Sequence, residues 1–568
     1  MENLPLNVVI AGEAGQGLVT LSQILTKTLV RAGYYIVVTQ SYQSRIRGGH
    51  NSYALRISHR EVVAPTEALD LLVALDQNSI NLYLPELSDH GFILVDEKVS
   101  STVHAQVIRA PLADLADDKF SNSTALGMVA SLLGLHKDSV TKTLREFFDK
   151  HAPETSDHNA ESLAAGYDWI LNHPAKFPKL PPSTLPEGRL TLNGNEAIAL
   201  GSIAAGMKFF AFYPMTPATS IATTLAGHAA QMEFVIEQAE DEIAAVNMAV
   251  GASFAGAPAM VATSGGGFAL MTETVSLAGM TETPVVIVVA QRPGPSTGLP
   301  TRTEQSDLEF VLHSGHGEFP RAIFTPGDVE QCFHLTIKAF QVAQKYNTPV
   351  FVLTDQFLAD SYRSVGPFDL GQLSPLNPCL DSSVSANPHL TYLLTESGIS
   401  PRIFPGMASQ CVRASSSSEL VIADSDEHTQ DGHLTEDLSV RISMVEKRLR
   451  KIDGLKSEVV GPEFIGAAGP ETLFVSWGSS RGSVIEAADI LAGRGWSVAT
   501  LNFLQVWPLI PENFVSILEA AKDVVAVEGN ATGQFARLIR RETGFHIKKV
   551  IHRFDGLPIT PKYILDRI

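Results

Sequence analysis

The chain has 568 residues, 45% of them apolar and 18% charged, and its 42 Lys and Arg against 61 Asp and Glu leave a formal charge of −19. That shortage of cations excludes a general nucleic-acid or anionic-membrane binder, since either needs a dense basic footprint. The three cysteines, Cys332, Cys379 and Cys411, are far apart and none forms a CxxC. The sequence therefore offers no metal site, no iron–sulfur ligand set and no disulfide framework, which fits a reducing compartment. The N-terminus MENLPLNVVIAG enters a strand without a signal-peptide pattern, and apolar runs such as TPVVIVVA are too short to cross a bilayer. We expect a cytoplasmic protein.

In chain order the hydrophobic periodicity predicts an α/β protein with several doubly wound parallel-sheet domains. Residues 1–172 open with LNVVIAGEAGQGLVTLSQILTKTLVRAGYYIVVTQ, a strand, glycine turn, amphipathic helix and second strand in βαβ order, with further strands expected at LDLLVALD and GFILVDE. Residues 173–188, HPAKFPKLPPSTLPEG, read as a stiff proline-rich linker. Residues 189–380 alternate helix and strand patterns: FFAFYP, PAMVATS, TPVVIVVAQ and TPVFVLTDQ. Residues 381–469 read as an extended polar connection with a long helix at LSVRISMVEKRLRKI. Residues 470–568 resume the alternation with TLFVSWGSS, GSVIEAADILAGRG, WSVATLNFL and DVVAVEGN. Parallel sheets bind ligands beyond the carboxyl ends of their strands, so the turns that follow strands are the places to search.

The first of these is GEAGQG, with Gly12, Gly15 and Gly17 between strand and helix. Its G-x-x-G-x-G spacing is not the dinucleotide fingerprint, but its backbone N–H groups suit an anion, as do Arg45 and Arg47 beside Gly48-Gly49 in SRIRGGHNS. A tight turn without ligand is the plain alternative. The second is FYPMTPATS, where two prolines stiffen a turn that presents Tyr213, Thr216, Thr219 and Ser220, with Thr219 or Ser220 expected near a helix N-cap. Next, Glu237, Glu240, Asp241 and Glu242 read as the acidic opening of an Ala/Gly-rich helix. Glu242 abuts the apolar run and would be desolvated unless a partner satisfies it. Ser264 with Gly265 and Gly266 then lets backbone approach a ligand closely after PAMVATS. Finally Arg292, at the end of a buried strand, leads QRPGPSTGLPTRTEQSDL, where it and Arg302 suit a carboxylate; a surface loop with ordinary salt bridges is the alternative.

The phrases YPMTP, the glutamate-headed helix, SGGG and QRPGPSTGLPTRTEQSDL resemble the pyrimidine-binding domain of the 2-oxoacid:ferredoxin oxidoreductases. GEAGQG with SRIRGGHNS resembles their γ-type domain, here fused ahead of the α part. PRIFPG, DEHTQDGHLTED, VSWGSSRGSVIEA and VEGNATGQFARLIR resemble the linker and the transketolase-C-like domain. The likeness runs collinearly over the whole chain, and its type is the α subunit of a 2-oxoglutarate:ferredoxin oxidoreductase. It implies oxidation of 2-oxoglutarate with coenzyme A to succinyl-CoA and carbon dioxide, the electrons going to ferredoxin. Pyruvate or a branched-chain 2-oxoacid is the sister reading, and a non-catalytic nucleotide-binding scaffold the reading from another class.

The resemblance implies thiamine diphosphate, activated through a carboxylate that bonds its aminopyrimidine ring; Glu242 stands at that position, with Glu240 as runner-up. Ser264, Gly265 and Gly266 are implied around the ring. Tyr213 and Thr216 are implied at the substrate end, Arg292 and Thr301 on the 2-oxoacid carboxylate and carbonyl, and Arg302 on a distal carboxylate. Gly15, Gly17, Arg45 and Arg47 are implied at coenzyme A. No GDG magnesium motif is present, and Gly327-Asp328 reads as a helix start. Together with the missing cluster cysteines this implies a β subunit that brings Mg²⁺, the diphosphate half-site and a [4Fe–4S] cluster, in an (αβ)₂ assembly.

Overall fold

The computed structural model describes residues 5–42, 49–99, 106–112, 114–115, 118–183, 188–371, 373, 376, 390–402 and 422–568. Its first seven strands are β1 (Leu6–Glu13), β2 (Tyr35–Ser41), β3 (His50–Ser58), β4 (Leu69–Ala74), β5 (Leu87–Asp96), β6 (Gln106–Ala110) and β7 (Leu190–Leu192). The next seven are β8 (Phe209–Phe212), β9 (Val235–Gln238), β10 (Ala259–Thr263), β11 (Val285–Gln291), β12 (Ala322–Phe324), β13 (Pro349–Asp355) and β14 (Tyr362–Val365). The last six are β15 (Glu463–Gly466), β16 (Thr472–Trp477), β17 (Val498–Phe503), β18 (Gln505–Trp507), β19 (Asp523–Glu528) and β20 (Lys549–His552). They form three sheets with helices packed on them, a mixed α/β architecture with parallel-dominated sheets.

The first sheet has the order β6-β5-β4-β1-β3-β2-β14-β7. It winds in parallel from β1 outward through β4, β5 and β6, but β3 lies antiparallel between β1 and β2. The expected βαβ unit is therefore present as β1, the helix Leu18–Arg31 and β2, with a third strand inserted. The reason is the short connection from Ser41 to His50: a parallel return needs a crossover of about a dozen residues or more, a hairpin does not. Strands β7 and β14, from beyond the proline-rich stretch, complete this sheet.

The second sheet runs β18-β12-β13-β11-β10-β8-β9 and is parallel except for β18. Every residue of β10, β11 and β13 is buried, which explains why VVIVVAQ and PVFVLTD lack the alternation of a half-exposed strand. From β8 the chain winds outward to β9, then returns to place β10 on the other side. The winding thus reverses between β8 and β10, and such a reversal opens a crevice at the carboxyl ends.

The third sheet, β15-β17-β16-β19-β20, reverses between β16 and β19. That crevice is filled by the chain itself. Gln305 donates from Nε2 to the Trp477 carbonyl, accepts from Gly529 N at Oε1, and has its own carbonyl held by Asn530 Nδ2. Glu528, at the end of β19, is spent on structure: it accepts from Phe535 N and Ala536 N, the opening amides of the helix Gln534–Thr543. Of these two crevices, that of the second sheet, between β8 and β10, is the one the described residues leave open.

The helix read at LSVRISMVEKRLRKI spans Leu438–Ser457. It docks through Lys447 and Lys451, both fully buried, whose ammonium groups lie 2.5 Å from the two oxygens of Glu282. Two helix expectations are corrected. VIEQ is the edge strand β9, paired with β8, so Glu237 lies in a strand; pairing with a neighbouring strand overrides its helical reading. The helix after FYPMTP starts at Thr219, beside its N-cap Ala218 as expected, but neither hydroxyl caps it; Ser220 instead receives a hydrogen bond from Asn195 Nδ2. Among the described residues no helix is long and apolar enough to cross a membrane.

Candidate active site

Four post-strand turns converge on the β8/β10 crevice: those after β8, β9, β10 and β11. After β9, Asp241 caps the helix Glu242–Phe254 by accepting from Ala244 N at 2.7 Å. That cap fixes the first turn, and the next residue, Glu242, points inward and is 3% exposed. Its Oε1 is buried and has no hydrogen-bond partner. A buried carboxylate oxygen without a donor costs several kcal/mol, so such a group marks a site awaiting one. Glu240 is exposed and cannot share this position.

Glu242 rests against the glycine run after β10. A Cβ on Gly267 would lie 2.5 Å from Glu242 Oε1 and 2.1 Å from Thr263 Oγ1. One on Gly265 would lie 2.3 Å from Asp307 Oδ2, and one on Gly266 would lie 3.5 Å from the Ser296 carbonyl. The three glycines thus bring three separate segments onto one helix N-terminus, that of Gly265–Met280. Its N-cap, Ser264, is fully buried, makes no side-chain cap and leaves its hydroxyl unpartnered. Gly267→Ala should therefore cost about 1–3 kcal/mol of stability through overpacking. Because the Glu242 carboxylate is among the displaced groups, any turnover that depends on it should fall about 100-fold. Paired thermal melts and steady-state rates check both.

After β11, Arg292 is buried and donates from Nη1 to the Thr216 carbonyl at 2.7 Å, which ties the FYPMTP turn to the arginine loop. Its Nε has no partner. Burial lowers the guanidinium's proton affinity and the neighbouring Asp307 partly restores it. Asp307 is held by its backbone, which donates to Gln291 Oε1, while Gln291 Nε2 is anchored on the Thr354 carbonyl. Burial, aided by Glu304, pushes the Asp307 carboxyl up to about 6, against the pull of Arg292. Tyr213 stands at the mouth, 38% exposed.

The structure thus brings together Glu242, Ser264, Gly265, Gly266, Arg292 and Thr216, with Tyr213 at their edge. Thr301 and Arg302 lie elsewhere, lining a cavity of about 420 Å³ with His50, Ser52 and Tyr83 of the first sheet's side and Arg553 of the third's. Arg302 Nη1 there donates to Ser41 Oγ at 3.1 Å. Gly15 and Gly17 both have positive φ in the turn after β1. Gly15 faces open space, whereas a Cβ on Gly17 would meet Asn122 Nδ2 at 2.1 Å, so packing alone accounts for Gly17. Arg45 and Arg47 lie outside the described residues. A larger cavity of about 700 Å³, beside the helix Leu18–Arg31 and β7, contains none of the predicted site residues. Asp307 was not singled out from the sequence, and Gly267 only as one of the three glycines after Ser264. Gly267 was legible as the third glycine of a run where two suffice for a turn; Asp307 reads as an ordinary loop charge.

Residues 200–409 match the family model described as pyruvate flavodoxin/ferredoxin oxidoreductase, thiamine diphosphate-binding, and residues 7–169 match that of pyruvate ferredoxin/flavodoxin oxidoreductase. The 2-oxoacid:ferredoxin oxidoreductase subunit alpha of a Sulfolobus species is 31% identical over 97% of this chain and 95% of its own length. The chain belongs to the 2-oxoacid:ferredoxin oxidoreductase alpha subunits. Among this family the 2-oxoglutarate oxidoreductase subunit KorA of Mycobacterium tuberculosis is 28% identical over 94% of this chain and 87% of its own. The solved 2-oxoglutarate:ferredoxin oxidoreductase of Magnetococcus marinus, with 2-oxoglutarate, coenzyme A and succinyl-CoA bound, superposes with a TM-score of 0.91. It covers 100% of this chain and 99% of its own at 29% identity. As a 2-oxoacid:ferredoxin oxidoreductase alpha subunit, the chain carries a thiamine diphosphate-binding domain, and its β8/β10 crevice lies within the residues matched to it.

Proposed function

We propose that this alpha subunit serves a thiamine-dependent oxidation of 2-oxoglutarate with coenzyme A, in which Glu242 holds the cofactor's aminopyrimidine. The observation that carries the reading is the unpartnered, buried Oε1 of Glu242 in a crevice kept open by glycines. That geometry fits the group: a carboxylate lacking a donor, beside small residues that leave a flat ring room. Thiamine diphosphate, when bound, would supply the carbon nucleophile for the keto carbon and the electron sink that retains the bonding pair as carbon dioxide leaves.

The chain's own residues do the rest. Glu242 holds a proton against the ring nitrogen, a task suited to a carboxylate withdrawn from water. Ser264, Gly265 and Gly266 line the ring. Arg292, with its free Nε, pairs with the 2-oxoacid carboxylate, and Tyr213 and Thr216 close that end and limit water. Thr301 and Arg302, in their separate cavity, are left for the distal end of the substrate rather than for its keto oxygen. Gly15, Gly17, Arg45 and Arg47 serve coenzyme A. A β subunit supplies Mg²⁺ and a [4Fe–4S] cluster that passes electrons to ferredoxin, in a cytoplasmic (αβ)₂ assembly. Its docking face is suggested by exposed apolar side chains around the crevice, Ile243 at 47%, Leu270 at 49%, Met248 and Phe310.

Substrate profiling of the complex with its partner subunit tests the reading. Coenzyme A-dependent reduction of ferredoxin should show a kcat/KM for 2-oxoglutarate at least about tenfold above that for pyruvate, the scale of one charged contact. Arg292→Lys should raise KM for 2-oxoglutarate about tenfold or more, because lysine lacks the planar fork. A preference for pyruvate would overturn the substrate assignment, and an unchanged KM the role of Arg292.

A further inference from the structure

We propose that Asp307 couples binding of the anionic 2-oxoacid at Arg292 to uptake of one proton, which the Asp307 carboxyl group then carries. This rests on the assignment of Arg292 to the substrate carboxylate and adds a group that acts through it.

Three observations place Asp307 in that role. Its Oδ2 is buried without a hydrogen-bond partner, over Gly265 at the head of the helix Gly265–Met280. Its backbone is fixed through Gln291, which holds the residue beside the helix start. Arg292 is the cation that supports its charge, and that guanidinium is the one offered to the substrate.

The charged neighbours on each side bear this out. Glu304 of its own loop opposes the Asp307 charge. Glu242 sits two residues along the glycine run, at Gly267. From the third sheet's side, Arg537 is paired with Glu309, and Arg541 with Glu542 and His313 Nε2. An incoming carboxylate takes a share of Arg292 and adds an anion beside Asp307, while displacing water. All three effects disfavour the ionised form, so a carboxyl already raised to about 6 takes up a proton from solvent. Binding and protonation being linked, affinity falls as pH rises above that value, by up to about tenfold per pH unit.

The test is KM for 2-oxoglutarate from pH 6 to 8.5, measured on the enzyme assembled with its partner subunit, for wild type and Asp307→Asn. Wild-type KM should climb with pH. In Asp307→Asn, which mimics the protonated state, it should stay flat and lie several-fold below wild type at pH 8, the opposite of a merely structural defect. A flat wild-type profile, or an equal slope in the variant, overturns the proposal. Should Asp307→Asn fail to assemble, Glu304→Gln decides: removing that anion should move the bend in the KM profile to lower pH, and an unmoved bend overturns the proposal. If the enzyme uses pyruvate instead, the 2-oxoglutarate reading falls, while the same profile taken with pyruvate still decides the proton linkage.

Discussion

Glu242→Gln, assembled with its partner subunit, is expected to lose turnover by about 10²–10⁴-fold, the usual worth of a positioned acid–base group. Glutamine keeps the size of the side chain, so its packing against Gly267 survives and the helix start, capped by Asp241, is untouched. Assembly and melting temperature should therefore stay near wild type. What is lost is the ability to hold a proton between oxygen and ring nitrogen. Rates measured with the variant and a matched melt separate the two effects; full turnover in a well-folded Glu242→Gln complex would sink the catalytic assignment.

Glu282→Gln is expected to destabilise the chain by about 3–5 kcal/mol at neutral pH, since it leaves two buried ammonium groups uncompensated. Glu282 adopts a left-handed φ of 48° just past the helix Gly265–Met280, and Lys447 and Lys451 both close on it. Burial raises its proton affinity, but the two lysines outweigh that and hold it at about 2. Its ordinary value is 4.5, so the native state favours the ionised form. This contribution is fully present above about pH 4.5 and is lost as the pH falls toward 2. The lysines move the other way: burial pulls Lys447 down to about 8 even beside Glu282. In the glutamine variant they shed protons more readily still, so its deficit should shrink as pH rises toward about 8 and level off above it. Denaturant titrations of both proteins across that range check the sign; a deficit that grows with pH would contradict the ion-pair account.

The strands of the second sheet were legible because burial on both faces leaves continuous apolar runs, VVIVVAQ and PVFVLTD, that no other element explains. The burial of Glu242 was legible for a related reason: it abuts an apolar run and so faces the packed side of its helix. β9 was not legible, because its short stretch VIEQ is set by pairing with β8, a long-range contact, and the acidic residues after it mimic a helix opening. The antiparallel β3 and the joining of β7 and β14 to the first sheet were hidden likewise, since register depends on neighbours distant in sequence. The role of Gln305 depends on two other strands, β16 and β19, meeting around it. Thr301 and Arg302 show the same limit: one loop carries them away from Arg292 into a different cavity, and sequence proximity does not report that turn.

The central claim is that the unpartnered oxygen of Glu242 belongs to the cofactor's pyrimidine ring. A map of the assembled enzyme with thiamine diphosphate bound, detailed enough to place that ring, tests it directly. The account predicts the ring nitrogen within hydrogen-bond distance of Glu242 Oε1, above Gly265 and Gly266. A ring seated elsewhere, or a protein donor from the partner subunit occupying that oxygen, would contradict it.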